Sequence, residues 1–351
     1  MKLYVFNPEH DIALAHGTPL FTAPRAGRQL RVDLGFIPAL WAEKDGVVWV
    51  DDPNLAMLAA SQISLRVSES SFVTSSQLRH LANLVDSVEP WGWDAAICHD
   101  MLCLGISQKV LPTSAELEDI RSDSHRKNTK VFLEKILSIL RNNSLIGESI
   151  EVKDKDELLL QCAKWSSVVL KAPWSSSGRG VRMVSSFPND SILRWAVSII
   201  RHQGSILVEP MYDKILDFAL EFCATSMGVI YVGLSLFSTS GSAYTGNLIA
   251  DEREKVKILE RYIDIQMVDE VRKSVLDLFP RVFPRYHYGA FGIDMMVVRG
   301  DDGSSKLHPC VEINFRKTMG HVAIALGRNN NASFRTMNVQ CRDGVYHLCC
   351  R

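Results

Sequence analysis

Two strand-like segments, residues 290–298 and 306–315, are separated by little more than Asp301-Asp302-Gly303-Ser304-Ser305. A short Asp/Gly/Ser loop between such runs predicts an antiparallel hairpin, and a hairpin fixes which side chains meet. The first segment, Phe291-Gly292-Ile293-Asp294-Met295-Met296-Val297-Val298, carries one carboxylate in an otherwise apolar run. A buried carboxylate is costly unless it is paired or binds a metal. The second alternates completely: Val311, Ile313 and Phe315 face one way, and Glu312, Asn314 and Arg316 the other. The two-residue period sets those three polar groups in a row about 7 Å apart. Across the hairpin Asp294 can approach Glu312, and the carboxylate and amide oxygens suit Mg²⁺. A solvent-facing strand with an ordinary salt bridge is the alternative reading of the same residues.

A second signal lies some 140 residues earlier. In Val168-Val169-Leu170-Lys171-Ala172-Pro173-Trp174-Ser175-Ser176-Ser177-Gly178-Arg179-Gly180-Val181 a strand ends in a lysine, and a small-residue loop leads into another strand. Backbone N–H groups in such a loop can converge on phosphate oxygens, with serine hydroxyls as further donors and Lys171 as counter-charge. It is not a P-loop, because G-x-x-x-x-G-K-[ST] is absent. A flexible hairpin beside a surface lysine would read the same way. The third signal is Ser205-Ile206-Leu207-Val208-Glu209-Pro210-Met211-Tyr212, followed by Asp217. Here a strand ends in an acid, a short linker offers two large side chains that could flank a flat base, and a carboxylate follows.

The elements around these signals suggest an α/β chain of mixed type. The first ~110 residues alternate short strands and helices in a βαβα rhythm that argues for a parallel sheet. Residues 115–140 are helical with a break near Ser122-Asp123-Ser124, and later segments read as antiparallel strands. A long Gly/Ser/Thr loop is expected over 238–251 as a mobile cover, since loops of that length are usually functional. Arg253, just beyond it, becomes a candidate substrate contact. His10 and Asp11 follow the first strand, where open α/β sheets bind ligands, and are candidates for the same role. A short helix around 319–326 is expected to end the regular structure.

Composition removes several classes. Across 351 residues, 39 Lys and Arg face 40 Asp and Glu, so no overall field draws nucleic acid or an anionic membrane. No run approaches the roughly 18–20 apolar residues of a membrane span, and the N-terminal apolar stretch is too short for a signal peptide. The eight cysteines are scattered without paired C-x-x-C spacing, which favours free thiols in the cytoplasm over disulfides or zinc.

In the order of these three signals the sequence resembles the ATP-grasp superfamily, which includes D-alanine–D-alanine ligase and biotin carboxylase. The resemblance covers about residues 115–330. It implies an ATP-grasp fold: an N-terminal Rossmann-like α/β domain over 1–114, linker helices and a small lid over 115–205, and an antiparallel catalytic part over 206–351. It implies ATP held by Lys171, by the loop residues Ser175, Ser176, Ser177, Gly178 and Gly180, and by Glu209, Pro210, Met211 and Tyr212, with Asp217 at the ribose. Lys127 matches an earlier nucleotide lysine, with Lys130 competing for the role. Asp294, Glu312 and Asn314 match the metal ligands for Mg²⁺, with Mn²⁺ as an alternative, and Arg316 matches an arginine that serves the chemistry. One departure is plain: the ligase-type arginine two residues before the metal aspartate is replaced by Gly292. The implied activity is transfer of the ATP γ-phosphoryl group to a small-molecule carboxylate, then attack by an amine or thiol. A phosphotransferase or a degenerate ATP-binding regulator on the same fold are the alternatives, and a homodimer is left open.

Overall fold

The computed structural model describes residues 1–63, 72–175, 180–185, 187–286, 289–329 and 335–351. Its strands form three sheets in chain order. The first contains β1 (Lys2–Val5), β2 (Val47–Trp49), β3 (Phe72–Val73) and β4 (Ser87–Pro90), in the order β3-β2-β1-β4 and parallel throughout. Parallel neighbours need a crossover, and helices supply it. The helix Pro53–Gln62 begins where Asp52 accepts hydrogen bonds from the backbone N–H groups of Asn54 and Leu55, with proline in its first turn. Leu3, Tyr4 and Val5 are fully buried at the centre of this sheet.

The second sheet is small and antiparallel: β5 (Ile150–Val152), β6 (Ser167–Lys171), β7 (Val181–Ser185) and β8 (Ile206–Pro210), ordered β5-β8-β6-β7. One face packs on the helix Asp190–Gln203, whose apolar side meets Val168, Leu170, Ile206 and Val208. Gly204 ends that helix at φ +89°, a left-handed position that glycine takes without a Cβ clash. β8 pairs with β5 and β6, so the expected division after residue 205 cuts through this sheet.

The third sheet carries β9 (Asp213–Thr225), β10 (Gly228–Ser240), β11 (Ala243–Leu248), β12 (Gly289–Arg299), β13 (Ser305–Asn314), β14 (Thr336–Arg342) and β15 (Val345–Cys350), ordered β13-β12-β9-β10-β11-β14-β15. The helices Lys127–Leu140 and Ile265–Val282 cover one face. There Phe279 stacks on Phe291 with ring centres 3.8 Å apart, and Phe132 and Phe283 join the cluster. The helical break expected near 122–124 lies between Ser114–Asp123 and Lys127–Leu140.

Two expectations give way. Residues 238–251 are not a long loop: β10 runs to Ser240, turns at Gly241 (φ +60°), and returns as β11. The Ser, Thr and Tyr residues there serve as strand formers, and Asp251 caps the next helix by accepting from Glu254 N–H. The chain also continues past the helix Met319–Asn329 into the β14–β15 hairpin, which no sequence signal suggested. Among the described residues no helix is long and apolar enough to cross a membrane.

Candidate functional site

β12 and β13 form the expected hairpin, and its register sets Asp294 opposite Glu312. Asn314, two residues on, donates from Nδ2 to Asp294 Oδ2 at 3.1 Å. The Asp294 carboxyl is pushed up to about 8, first by burial and then by the neighbouring charges of Glu312 and Glu221. A crowded set of hard oxygen atoms is what a divalent cation relieves, so Asp294, Glu312 and Asn314 fit Mg²⁺ chemically.

Glu312 also takes a 2.6 Å hydrogen bond from Arg126 Nη2. The same guanidinium donates to Ser175 Oγ at 2.7 Å, to Ser175 O at 3.1 Å and to the Ala172 carbonyl, so it ties the loop after β6 to the carboxylate row. Sequence reasoning missed Arg126 and named its neighbours instead. Lys127 is exposed, and Lys130 pairs along its own helix with Glu134 at 2.6 Å. The cause is helical phase. Thr129, Phe132, Leu133 and Ile136 form the buried face, and stepping back three residues from Thr129 gives Arg126.

Lys171 is buried at the end of β6, with Nζ 2.6 Å from Glu209 Oε2 and donating to the Val311 carbonyl at 3.1 Å. Ser149 Oγ donates to the other Glu209 oxygen at 3.1 Å. Two residues proposed to touch nucleotide therefore hold each other, next to the strand that carries Glu312. Pro210 closes β8, Met211 is exposed, and the Tyr212 ring meets His308 edge-on at 5.6 Å. Asp217 lies within β9 and accepts from Lys214 Nζ at 2.6 Å and Thr239 Oγ1 at 2.8 Å. In the loop, Ser175 and Gly180 are placed, and the Gly180 carbonyl accepts from Ala172 N–H. Ser176, Ser177 and Gly178 lie outside the described residues.

Arg316 continues the row beyond β13, and its Nε donates to Asp11 Oδ2 at 2.8 Å. Asp11 therefore reaches the site from the start of the helix His10–His16. His10 does not: it is buried on the other side of that turn, with Nδ1 3.2 Å from Asp94 Oδ2. Arg253 is exposed on the helix Glu252–Leu259 and does not line the cavity described next.

That cavity, of about 440 Å³, joins Asp11, Arg126, Asp294, Glu312, Asn314 and Arg316 in one wall. A further residue lines it that sequence reasoning passed over. Glu221 is fully buried in β9, accepts from Thr318 Oγ1 at 2.7 Å, and has Oε2 3.0 Å from His321 Nδ1 without hydrogen-bond alignment. Its carboxylate fills the space that side chains at 292 and 320 would take, since a Cβ on Gly292 or Gly320 would fall on its oxygens. The space over Gly292 is thus filled by an acid from the adjacent strand. Its sequence signal was the one used for Asp294, a lone carboxylate inside an apolar run.

No family model matches the sequence, and no curated protein sequence does. Solved structures do align. The biotin carboxylase domain of the 2-oxoglutarate carboxylase of Hydrogenobacter thermophilus, in complex with Mg·ADP, ADP and bicarbonate, aligns at 12% identity and TM-score 0.48, over 95% of this chain and 70% of that one. N5-carboxyaminoimidazole synthetase of Staphylococcus aureus complexed with ADP aligns at 10% and 0.47, over 97% and 82%. L-amino acid ligase of Bacillus licheniformis aligns at 13% and 0.43, over 92% and 68%. Over most of its length, then, the chain is similar to these three proteins.

Proposed function

We propose that this chain is an ATP-dependent ligase of the ATP-grasp type, which activates a small-molecule carboxylate as an acylphosphate and joins it to an amine or thiol. The observation that carries the reading is the pairing of Asp294 with Glu312 on adjacent strands, completed by Asn314 and tied through Arg126 to the loop after Lys171. Two acids on adjacent strands, brought opposite each other beside two buried cations, make a poor structural core and a good phosphate-transfer site.

In this reading Asp294, Glu312 and Asn314 hold Mg²⁺, which neutralises phosphate charge when bound. Arg126 and Lys171 leave their carboxylate partners for phosphate oxygens, helped by Ser175 and the backbone of the loop. Tyr212 and Met211 flank the base, and Asp217 accepts from the ribose hydroxyls. Arg316, held by Asp11 in line with the metal residues, stabilises the charge that builds on the acylphosphate and on the tetrahedral species that follows. The small sheet β5–β8 acts as the lid, and the cavity beside Arg316 receives the acceptor.

The experiment is to incubate the chain with Mg·ATP and pairs of carboxylates and amines, following ADP and phosphate together. Equal release of both, with a phosphate-free condensation product, is expected. A product that keeps the phosphate would make the chain a phosphotransferase, and ADP release that no pair stimulates would remove the ligase reading.

A further inference from the structure

The cavity has two unlike ends. Its polar end is the row of Asp294, Glu312, Asn314 and Arg316. Another part of the lining is apolar: Phe6, Leu30, Leu34, Trp91, Val339 and Tyr346. That wall comes from elements holding none of the proposed nucleotide residues. Ala26, Leu30 and Leu34 lie four residues apart and so share one face of the helix Arg25–Leu34. The C-terminal hairpin closes against the same helix, where Tyr346 N–H donates to Asp33 Oδ2 at 2.7 Å. A volume of about 440 Å³ falls within the roughly 300–1,000 Å³ usual for small-molecule sites.

The charges lining the cavity are unbalanced. Among the described residues that line it, Glu9, Asp11, Glu221, Asp294 and Glu312 are the acids and Arg126 and Arg316 the bases, with Arg126 paired to Glu312 and Arg316 to Asp11. Arg31 reaches Glu9 at 2.9 Å and the Asp294 carboxyl is pushed up to about 8, which leaves Glu221 as the charged acid with no Lys or Arg partner, and Oε2 of both Glu221 and Glu9 is buried without a hydrogen bond. Bound Mg·ATP, itself an anion, would deepen that field. A low-dielectric cleft with one sign of charge gathers ligands of the other.

On this basis, and resting on the ligase reading above, we infer that the acceptor is a cationic amphiphile: a primary amine with a bulky apolar or aromatic body, which packs between the helix Arg25–Leu34 and the C-terminal hairpin while its ammonium faces the acidic end at Glu221, beside the residues proposed for the metal. The apolar wall discriminates by size and the acidic end by charge. Leu30 and Tyr346, both half-buried, are the residues at which size is sensed.

Calorimetry at pH 7 on the full chain tests this with four probes: 2-phenylethylamine, 2-phenylethanol, ethylamine and 3-phenylpropionate. The amine with the ring is expected to bind at least tenfold more tightly than each of the others. Equal binding of phenylethanol or phenylpropionate would overturn the charge preference, equal binding of ethylamine would overturn the apolar wall, and no binding of phenylethylamine would overturn the inference whole. Leu30→Trp should fill the cavity and abolish phenylethylamine binding while sparing ethylamine, and Tyr346→Ala, a milder change, should weaken phenylethylamine at least fivefold. Unchanged affinity in both folded variants would place the amine elsewhere and sink the inference. Titrating Mg·ADP into the same samples separates the two readings, because absent nucleotide binding beside intact amine selectivity would fault the ligase reading and not this one.

Discussion

Arg126 and Glu312, 186 residues apart in sequence, meet at 2.6 Å and join the loop after β6 to the strand of the proposed metal residues. Arg126 is buried, while Glu312 keeps some access to the cavity. In the proposed function this contact exchanges, guanidinium for phosphate and carboxylate for metal. Arg126→Met should lower Mg·ATP affinity by at least tenfold, and Lys127→Ala should leave it unchanged. Calorimetric titration of the two variants checks the assignment, and equal losses would return Lys127 to the site.

Lys171 is not the loosely held strand-end lysine that the sequence suggests. Its contact with Glu209 is buried on both sides. Removing one partner of such a pair is destabilising by about 3–5 kcal/mol, because the other charge stays behind. Lys171→Met should therefore lower the melting temperature, and Lys171→Met/Glu209→Gln should recover much of the loss without recovering nucleotide binding. Denaturant melts of the three proteins decide this; a single mutant as stable as the wild type would show that the pair contributes nothing.

Gly320→Ala should be destabilising, because its Cβ on the helix Met319–Asn329 would meet Glu221 Oε1 and Ser235 Oγ and push the Glu221 carboxylate out of its contact with Thr318. Overpacking of this kind typically costs about 1–3 kcal/mol. Adding Glu221→Ala should restore part of the stability. A Gly320→Ala variant that melts with the wild type would show that the Glu221 carboxylate moves freely into the cavity and that its packing against Gly320 contributes nothing.

His308 is buried beside Tyr212 with Nδ1 unpartnered, and burial together with the Lys171 charge pulls its imidazole down to about 3. An unfolded histidine titrates near 6.5. Between those values the unfolded chain binds the extra proton, so this group's contribution to stability is complete above about pH 6.5 and is lost as pH falls toward 3. The slope per proton is about 1.4 kcal/mol per pH unit. His308→Leu should flatten the acid side of the stability profile and leave stability above pH 7 near the wild-type value. An unchanged slope from pH 6.5 to 4 would contradict the burial.

The parts of the fold that were legible had one-dimensional signals. The β12–β13 hairpin announced itself by strict alternation about a Gly/Ser loop, and Asp294 by its isolation among apolar neighbours. Arg126 was hidden because its role depends on helix phase, which the Lys127 motif match ignored. Glu221 carried the same signal as Asp294 but had no partner in sequence, since Thr318 and His321 lie about 100 residues away. The β14–β15 hairpin gave no warning because its residues are half-buried and mixed in character, and they become a wall only against the helix Arg25–Leu34. The 238–251 segment misled through composition: serine, threonine and glycine suit a loop until two strands pair their backbones.

In the proposed function Asp294, Glu312 and Asn314 hold Mg²⁺ against ATP phosphates. The most direct measurement is the melting temperature of the wild type and of Asp294→Asn/Glu312→Gln, each with ATP in Mg²⁺ or in chelator. The neutral isosteres keep acceptors for Arg126 and Asn314, so the variant should fold. Ligand at about 100 times its dissociation constant adds about 2.7 kcal/mol of stability. The wild type should gain several degrees from ATP with Mg²⁺ beyond its gain in chelator, and the variant should lose that Mg²⁺-dependent increment alone. A variant that keeps the full increment would contradict the account and put the metal elsewhere.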